Sequence, residues 1–422
     1  MLVNAIRARK IFNSRKEETI AVAVETKQGK YEASAPGGKS KGKYEASAFS
    51  SKGINFSIAF VNAIGKLLEE KKIILNEFSD LYKVEELVKD YEKKIDKKSH
   101  DWDLIGANAL YALESALLKA IAASYGQEIW QLLCEKPKIL PRPLGNIIGG
   151  GMHTKQEEKT DIQEFLFLPK TKNFFDAYFI NLQAYNLTKK KLKEKDKRWE
   201  GNLTDELAFA STLSNETVLA LLNEVKEGIQ KKFNIDAGIG VDIAASSLWN
   251  GIKYCYKNKK KRLGKNEQIN YILELIKKYS LEYVEDPLHE EDFEGFSRLL
   301  RLTKQDKQNK CLIVGDDLIC TQKERLLKAI SEKSINALIV KPNQNGSLLS
   351  VKEVVDIAKK NNIACIISHR SGETVDNTIA HLAVGWQIPI IKTGVLGKER
   401  FSKLHTLLKI ERQVGNSLKT RN

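Results

Sequence analysis

From about residue 229 onward the chain repeats one pattern: a short β-branched run ends on a polar residue, and an amphipathic helical stretch follows. The runs are IGVDIAAS, LEYVEDP, CLIVGDD, ALIVKPN, ACIISHR and PIIKTG. From LEYVEDP onward the strand-end residues Glu285, Asp316, Lys341, His369 and Lys392 follow one another at 31, 25, 28 and 23 positions. That is the spacing of βα units, in which each strand is buried on both faces and each helix covers it. An open doubly wound sheet shares the local pattern, but it usually carries a Gly-rich phosphate loop after its first strand, and none occurs here. The pattern therefore predicts an α/β fold, a modified (β/α)8 barrel of TIM type, with its chemistry at the C-terminal ends of the strands.

The rest of the chain reads differently. NAIRARKIF, TIAVAVET and YEASA alternate as strands, with a turn at QGK, and predict a small antiparallel meander. The heptapeptide GKYEASA occurs at 29–35 and again at 42–48, around the Gly-rich basic loop PGGKSKG. Two short copies are too few for a repeat architecture. From Ile54 to Ala123 apolar residues recur at helical spacing, until Pro137, Pro141 and Pro143 break the chain. A length of 422 residues exceeds one compact core of ordinary size. Residues 1–136 are therefore expected to form a smaller α+β capping domain and residues 137–422 the barrel.

Composition excludes several classes. A 42% hydrophobic and 29% charged content is that of a globular chain, not a disordered one. No stretch approaches the roughly 20 apolar residues of a membrane span, and the N-terminus lacks the apolar core of a signal peptide. Cys134, Cys255, Cys311, Cys320 and Cys365 form no CxxC pair, which points to reduced thiols in a cytoplasm rather than to disulfides or zinc. The net charge of +15 is concentrated in KKKLKEKDKR (189–198) and KNKKKRLGK (257–265). Such runs could hold RNA; a solvated helix or loop face is the favoured reading, because no aromatic residues interleave the first run as a stacking platform would need.

The strand ends carry the chemistry. Asp242, Glu285 and Asp316 supply three carboxylates, Lys341 and Lys392 two ammonium groups, and His369 and Arg370 sit between them. Converging carboxylates repel unless a hard cation neutralises them, and Mg²⁺ takes oxygen ligands while keeping positions for water or substrate. Three carboxylates with one Mg²⁺ leave a net negative charge, so an anionic substrate requires the lysines, the arginine or a second metal. A lysine beside metals is expected to fall below its usual pKa of about 10.4, toward values useful for a general base. That set suits removal of a weakly acidic proton next to a carboxylate, with the metal stabilising the enediolate.

At this point the chain resembles the enolase family. VDIAAS, VEDP, VGDDL, VKPNQNG, SHRSGET and IKTG stand in family order, while IGANALYALESALLKA and DIQEFLFLP resemble the family's GAN helix and QEF strand. The likeness covers essentially the whole chain. It implies Mg²⁺-dependent dehydration of 2-phosphoglycerate to phosphoenolpyruvate in the cytoplasm, two Mg²⁺ ions with the second arriving with substrate, and a homodimer or higher homo-oligomer. By the resemblance, Asp242, Glu285 and Asp316 are metal ligands, Lys341 is the base for the C2 proton, and Lys392 binds the substrate carboxylate. Arg370 and Ser371 match the phosphate-binding pair, where an arginine fork suits phosphate oxygens, with His369 beside them. LTDELAFASTLSNE points to Glu206 as the acid for the 3-hydroxyl. Glu164, after Gln163 in the same substrate site, matches a second active-site glutamate, His153 a loop histidine, and Ser40 the serine that reaches the second Mg²⁺.

The chain also departs from the family. Leu207 and Ala208 replace two glycines beside Glu206, so a turn with positive φ would strain Leu207. NSRKEET replaces DSRGNPT, and GGKSK replaces SGAST, bringing Lys39 and Lys41 toward an anionic ligand, where they tighten binding or slow release. The rival readings are another superfamily enzyme that dehydrates an acid sugar, against which the SHRSGE phosphate motif argues, and a non-catalytic relative whose basic runs hold RNA or a partner. The second would be expected to lack Glu206, Lys341 or Lys392, and all three are present.

Overall fold

The computed structural model describes residues 1–39, 42–100, 102–306, 310–415 and 419–420. Strands β1 (Ala5–Phe12), β2 (Glu18–Thr26) and β3 (Gly29–Ser34) form an antiparallel meander, with Ala8 opposite Val22 and Val24 opposite Tyr31. Helices α1 (Ile54–Glu70), α2 (Leu81–Ile95) and α3 (Ala107–Ser124) follow. The Ala- and Leu-rich α3 is apolar almost all round and almost wholly buried, as expected of a helix covered on every side. It packs on β2 and β3 and on the barrel-side segments Pro342–Asn345 and Leu348–Lys360.

The two GKYEASA copies fold differently. The first supplies β3, paired along β2. The second, at 42–48, is turn and bend. Its Ser47 and Ala48 carbonyls accept the Ala107 and Asn108 N–H groups at 2.8 and 2.9 Å. The first N–H groups of a helix have no partner within the helix, so here the helix start takes the backbone that a neighbouring strand takes in the first copy.

Eight strands close the barrel: β4 (Arg142–Gly149), β5 (Glu164–Pro169), β6 (Ala237–Asp242), β7 (Leu281–Glu285), β8 (Leu312–Gly315), β9 (Ala337–Val340), β10 (Ala364–Ser368) and β11 (Ile390–Lys392). The ring closes where Ile390 pairs with Arg142 and Lys392 with Leu144. The prolines read as breakers do not all lie outside it, because Pro143 is the second residue of β4. It is tolerated because β4 pairs with β5 only from Gly145 onward, so its missing N–H is not needed on that side.

β5 is antiparallel to both β4 and β6, while the remaining pairings around the ring are parallel. No α-helix separates β4 from β5, so the chain turns straight back. Two helices, α4 (Phe174–Lys195) and α5 (Asn215–Phe233), then carry it to β6. The reversal puts the beginning of β5 at the mouth where the parallel strands end: Glu164 lies opposite Asp242, and Asp242 opposite Glu285.

The barrel interior is filled by Leu144, Leu166, Tyr283, Val314, Ile339, Ile366, Ile390 and their neighbours. Strand side chains on one face recur every second residue. Two steps beyond Tyr283, Val314, Ile339, Ile366 and Ile390 lie Glu285, Asp316, Lys341, Ser368 and Lys392; two steps back from Leu166, on the reversed strand, lies Glu164. The apolar plug and the polar mouth are thus successive layers of one pleat.

The basic runs are partly neutralised within the chain. Lys191 and Lys195 both pair with Glu224, and Lys259 and Lys261 reach Glu216 at 3.1 and 3.0 Å. Burial pushes Glu216 up, yet the two lysines outweigh it and bring the carboxyl down to about 2. Among the described residues no helix is long and apolar enough to cross a membrane.

Candidate active site

One pocket at the barrel mouth is lined by His153, Gln163, Glu164, Glu206, Asp242, Asp316, Lys341, His369, Arg370, Ser371 and Lys392. Glu285 lies directly beneath, with its side chain fully buried and bonded to Lys392. Every site residue expected from the sequence is therefore brought together except Ser40, which lies outside the described residues.

Lys392 organises the floor. Its ammonium sits 2.9 Å from Glu164 Oε2, 3.1 Å from Asp242 Oδ2 and 2.8 Å from Glu285 Oε2. Burial alone would lower the lysine, but Asp242, Glu164 and Glu285 outweigh it and hold it well above its ordinary value. Burial, followed by the Asp242 charge, raises the Glu285 carboxyl to about 7. Gln163 continues the layer, its amide donating to Asp242 Oδ2 at 3.4 Å.

Lys341 pairs with Asp316. The expectation of a lowered lysine concerns a site that holds its metal; beside Asp316 alone the balance runs the other way. Burial pushes the ammonium down, but the Asp316 charge more than cancels that and leaves it above its ordinary value. The argument from nearby metals holds only when a cation, rather than the lysine, takes the Asp316 charge.

Opposite lies a carboxyl–imidazole group. His153 Nδ1 is 3.5 Å from Glu164 Oε1 and 3.9 Å from Glu206 Oε1, and His369 Nε2 is 3.4 Å from Glu206 Oε2. Burial pushes both imidazoles below their ordinary value, which keeps them neutral at pH 7. Burial also raises Glu164 well above the carboxylate range, despite Lys392. For Glu206, burial acts in the same direction, but the His369 and His153 imidazoles, the hydrogen bond to His369 and the Arg400 charge outweigh it and hold the carboxyl well below its ordinary value.

The loop bearing Glu206 turns through Leu207. Leu207 has φ 63°, a left-handed conformation that costs a side-chain residue about 1–2 kcal/mol. Two hydrogen bonds hold it, Leu207 N–H to the Thr204 carbonyl at 2.9 Å and Tyr185 Oη–H to the Leu207 carbonyl at 2.7 Å.

Several functional neighbours escape a motif reading. Glu45, in the second GKYEASA copy, accepts two hydrogen bonds from Arg370 Nη2, at 3.0 and 2.9 Å. The buried Arg400 donates to the Ser371 carbonyl at 2.7 Å and fixes the Arg370–Ser371 turn from behind. Asn146 donates to Glu206 Oε2 at 3.0 Å. Asp205 pairs with Lys39 at 3.0 Å. Asp205 and Arg400 do stand in short charged sequences, but only folding shows what they touch.

The donor set fits a hard divalent cation. Asp242, Glu285 and Asp316 offer carboxylate oxygens at adjoining strand ends, and Glu285 Oε1 is buried with no hydrogen-bond partner. Their oxygens are not yet at ligand spacing. Among the described residues the acidic or histidine groups within 4.8 Å of one another are His153–Glu164–Glu206 and Asp286–Asp316–Asp317. Lys392 holds Asp242 and Glu285, while Lys341 holds Asp316 away from them.

Comparison with known proteins agrees with this geometry. Residues 3–133 match the family model described as the enolase N-terminal domain, and residues 137–421 match the enolase C-terminal TIM barrel domain. The chain is 37% identical over 419 residues to an enolase of Methanosphaera stadtmanae, covering 98% of each. It is 37% identical over 413 residues to an enolase of Archaeoglobus fulgidus, covering 97% of each. With an enolase of Natronomonas pharaonis it shares 33% identity over 97% of this chain and 99% of the relative.

Proposed function

The chain belongs to the enolase family, and from that premise we propose a division of labour among its barrel-mouth residues. The activity is that of a phosphopyruvate hydratase, a Mg²⁺-dependent carbon–oxygen lyase that interconverts 2-phosphoglycerate and phosphoenolpyruvate in glycolysis and gluconeogenesis. The observation that carries the division of labour is topological. In a closed ring of eight strands β5 and β9 stand four places apart, so Glu164 and Lys341 face each other across the mouth. Lys341 takes the C2 proton on one side, and Glu206, supported by Glu164 and His153, protonates the departing 3-hydroxyl on the other. Lys392 holds the substrate carboxylate, with Gln163 beside it, and Arg370, Ser371 and His369 hold the phosphate end.

Asp242, Glu285 and Asp316 would hold Mg²⁺, which when bound supplies positive charge against the charge that develops on the substrate carboxylate as the C2 proton leaves. We assign two ions per chain, the second entering with substrate and reached by Ser40. Calorimetry should then count one Mg²⁺ without and two with an unreactive substrate analogue.

Residues 1–136 and 137–422 are the two units we propose, divided where Pro137 and Pro141 precede β4. A homo-oligomer is supported by the exposed aromatic rings of Phe175, Phe179 and Phe401 on adjoining helices, and light scattering tests it. Five cysteines without a disulfide support a cytoplasmic setting.

Phosphoenolpyruvate formation from 2-phosphoglycerate, followed by ultraviolet absorbance, should require Mg²⁺, stop on chelation and return on Mg²⁺ addition. Well-folded protein that gives no turnover with Mg²⁺ would overturn the assignment of roles.

A further inference from the structure

Among the described residues four cationic side chains line the pocket, namely Lys39, Lys341, Arg370 and Lys392. Three are engaged in largely buried ion pairs. Lys392 is held by three carboxylates, Lys341 by Asp316, and Arg370 by Glu45. Lys39 is different. Its ammonium lies 3.0 Å from Asp205 Oδ2, and the two side chains are 20% and 32% exposed.

Three further contacts place this pair beside the Arg370–Ser371 turn. Lys39 donates its backbone N–H to Ser371 Oγ at 2.9 Å. Arg15 Nη1 reaches the same hydroxyl at 3.4 Å, and it also stands 3.5 Å from the Asp205 Oδ2 that holds Lys39. One carboxylate oxygen therefore serves two cations, and one of those cations touches the serine expected to meet phosphate. If the ammonium of Lys39 moves, Asp205 keeps Arg15 and is not left unpaired.

We propose that Lys39 is a further substrate-binding residue, whose ammonium leaves Asp205 for the phosphate of the bound substrate while Arg15 stays on Asp205. The inference rests on the assignment of the phosphate to Arg370 and Ser371. A partly hydrated Lys–Asp pair has little net strength, whereas a phosphate dianion offers more charge and more acceptor oxygens. The exchange moves no proton and leaves no buried charge alone. The other lining cations have no comparable freedom, because their release strands a buried carboxylate. Lysine at position 39 also departs from the family's SGAST loop, so the extra charge belongs to this chain's own design.

The test is a double-mutant cycle on the full chain with K39M, D205N and the double variant, reading KM for 2-phosphoglycerate and the inhibition constant of inorganic phosphate. K39M should raise both by about 5- to 10-fold, as expected for loss of one charge-assisted contact, with kcat changed less than about twofold. K39R should recover most of the loss. D205N removes the competing carboxylate, so it should lower KM about 2- to 3-fold with Lys39 present and leave it unchanged in the K39M background. Equal, non-additive damage from K39M and D205N with the phosphate inhibition constant unmoved would reduce the pair to a loop fastening and overturn the proposal. Absence of turnover in the parent protein would instead strike the assignment of the reaction, and phosphate binding measured by calorimetry on parent and K39M would still decide the role of Lys39.

Discussion

Lys341→Ala is expected to abolish exchange of the C2 proton of 2-phosphoglycerate with solvent and to lower turnover by a factor on the order of 10²–10⁴, the range for loss of a positioned general base. Glu206→Gln should lower turnover by about 10²–10⁴ and yet leave C2 exchange within a few-fold of the parent, because the glutamate acts after the proton has gone. The contrast follows from opposite stations on the barrel, β9 for the lysine and the His153–Glu164 side of the mouth for the glutamate. One confounder is built into the site. Lys341 is also the partner of Asp316, so its loss alters a carboxylate expected to bind Mg²⁺. Mg²⁺ titration of Lys341→Ala separates the two effects: a binding constant near that of the parent, with exchange gone, assigns the defect to proton removal. Exchange that survives in Lys341→Ala, or disappears in both variants, would overturn the division into base and acid.

The sequence makes the mouth legible because barrel strands obey a period of two and their polar ends recur with each βα unit. Knowing that Ile390 is interior is enough to place Lys392 in the same column, one layer higher. The direction of β5 is not legible in that way. Periodicity marks EFLFLP as a strand but says nothing of its polarity, which depends on the absence of a crossover helix after Gly149. Glu45 is hidden for a different reason, since an identical heptapeptide is a β-strand thirteen residues earlier and only the unpaired start of α3 dictates the other conformation. The protonation of Lys341 is not legible in sequence, because sequence lists charges without distances. A lysine among three carboxylates and a metal can go either way, and the partner that touches it decides. Leu207 is the reverse case, in which a glycine-specific turn is legible as a strained position before any coordinates and is found at φ 63°.

Lys392→Met should be the most damaging single change to stability as well as to turnover. The lysine is 3% exposed and neutralises Glu164, Asp242 and Glu285 at once. Removing one partner of a buried ion pair costs about 3–5 kcal/mol, because the remaining charge is left uncompensated, and methionine can supply the volume but not the charge. The carboxylates can escape only by taking protons, so the deficit must depend on pH. A carboxyl whose folded pKa is raised loses stability as pH climbs from its unfolded value, about 4.3, through its folded value. Glu285 already stands at about 7 with Lys392 present, and without it the rise is larger. Lys392→Met should therefore hold a near-constant deficit up to about pH 7 and fall further behind toward pH 8, where Glu285 ionises in the parent but not in the variant, in chemical denaturation read at each pH. Mg²⁺ should narrow the gap at pH 8 by more than it stabilises the parent, since the ion and the lysine neutralise the same oxygens. A deficit that is flat between pH 5 and pH 8 and indifferent to Mg²⁺ would mean that Lys392 contributes packing alone, and the carboxylate floor of this site would need another source of balance.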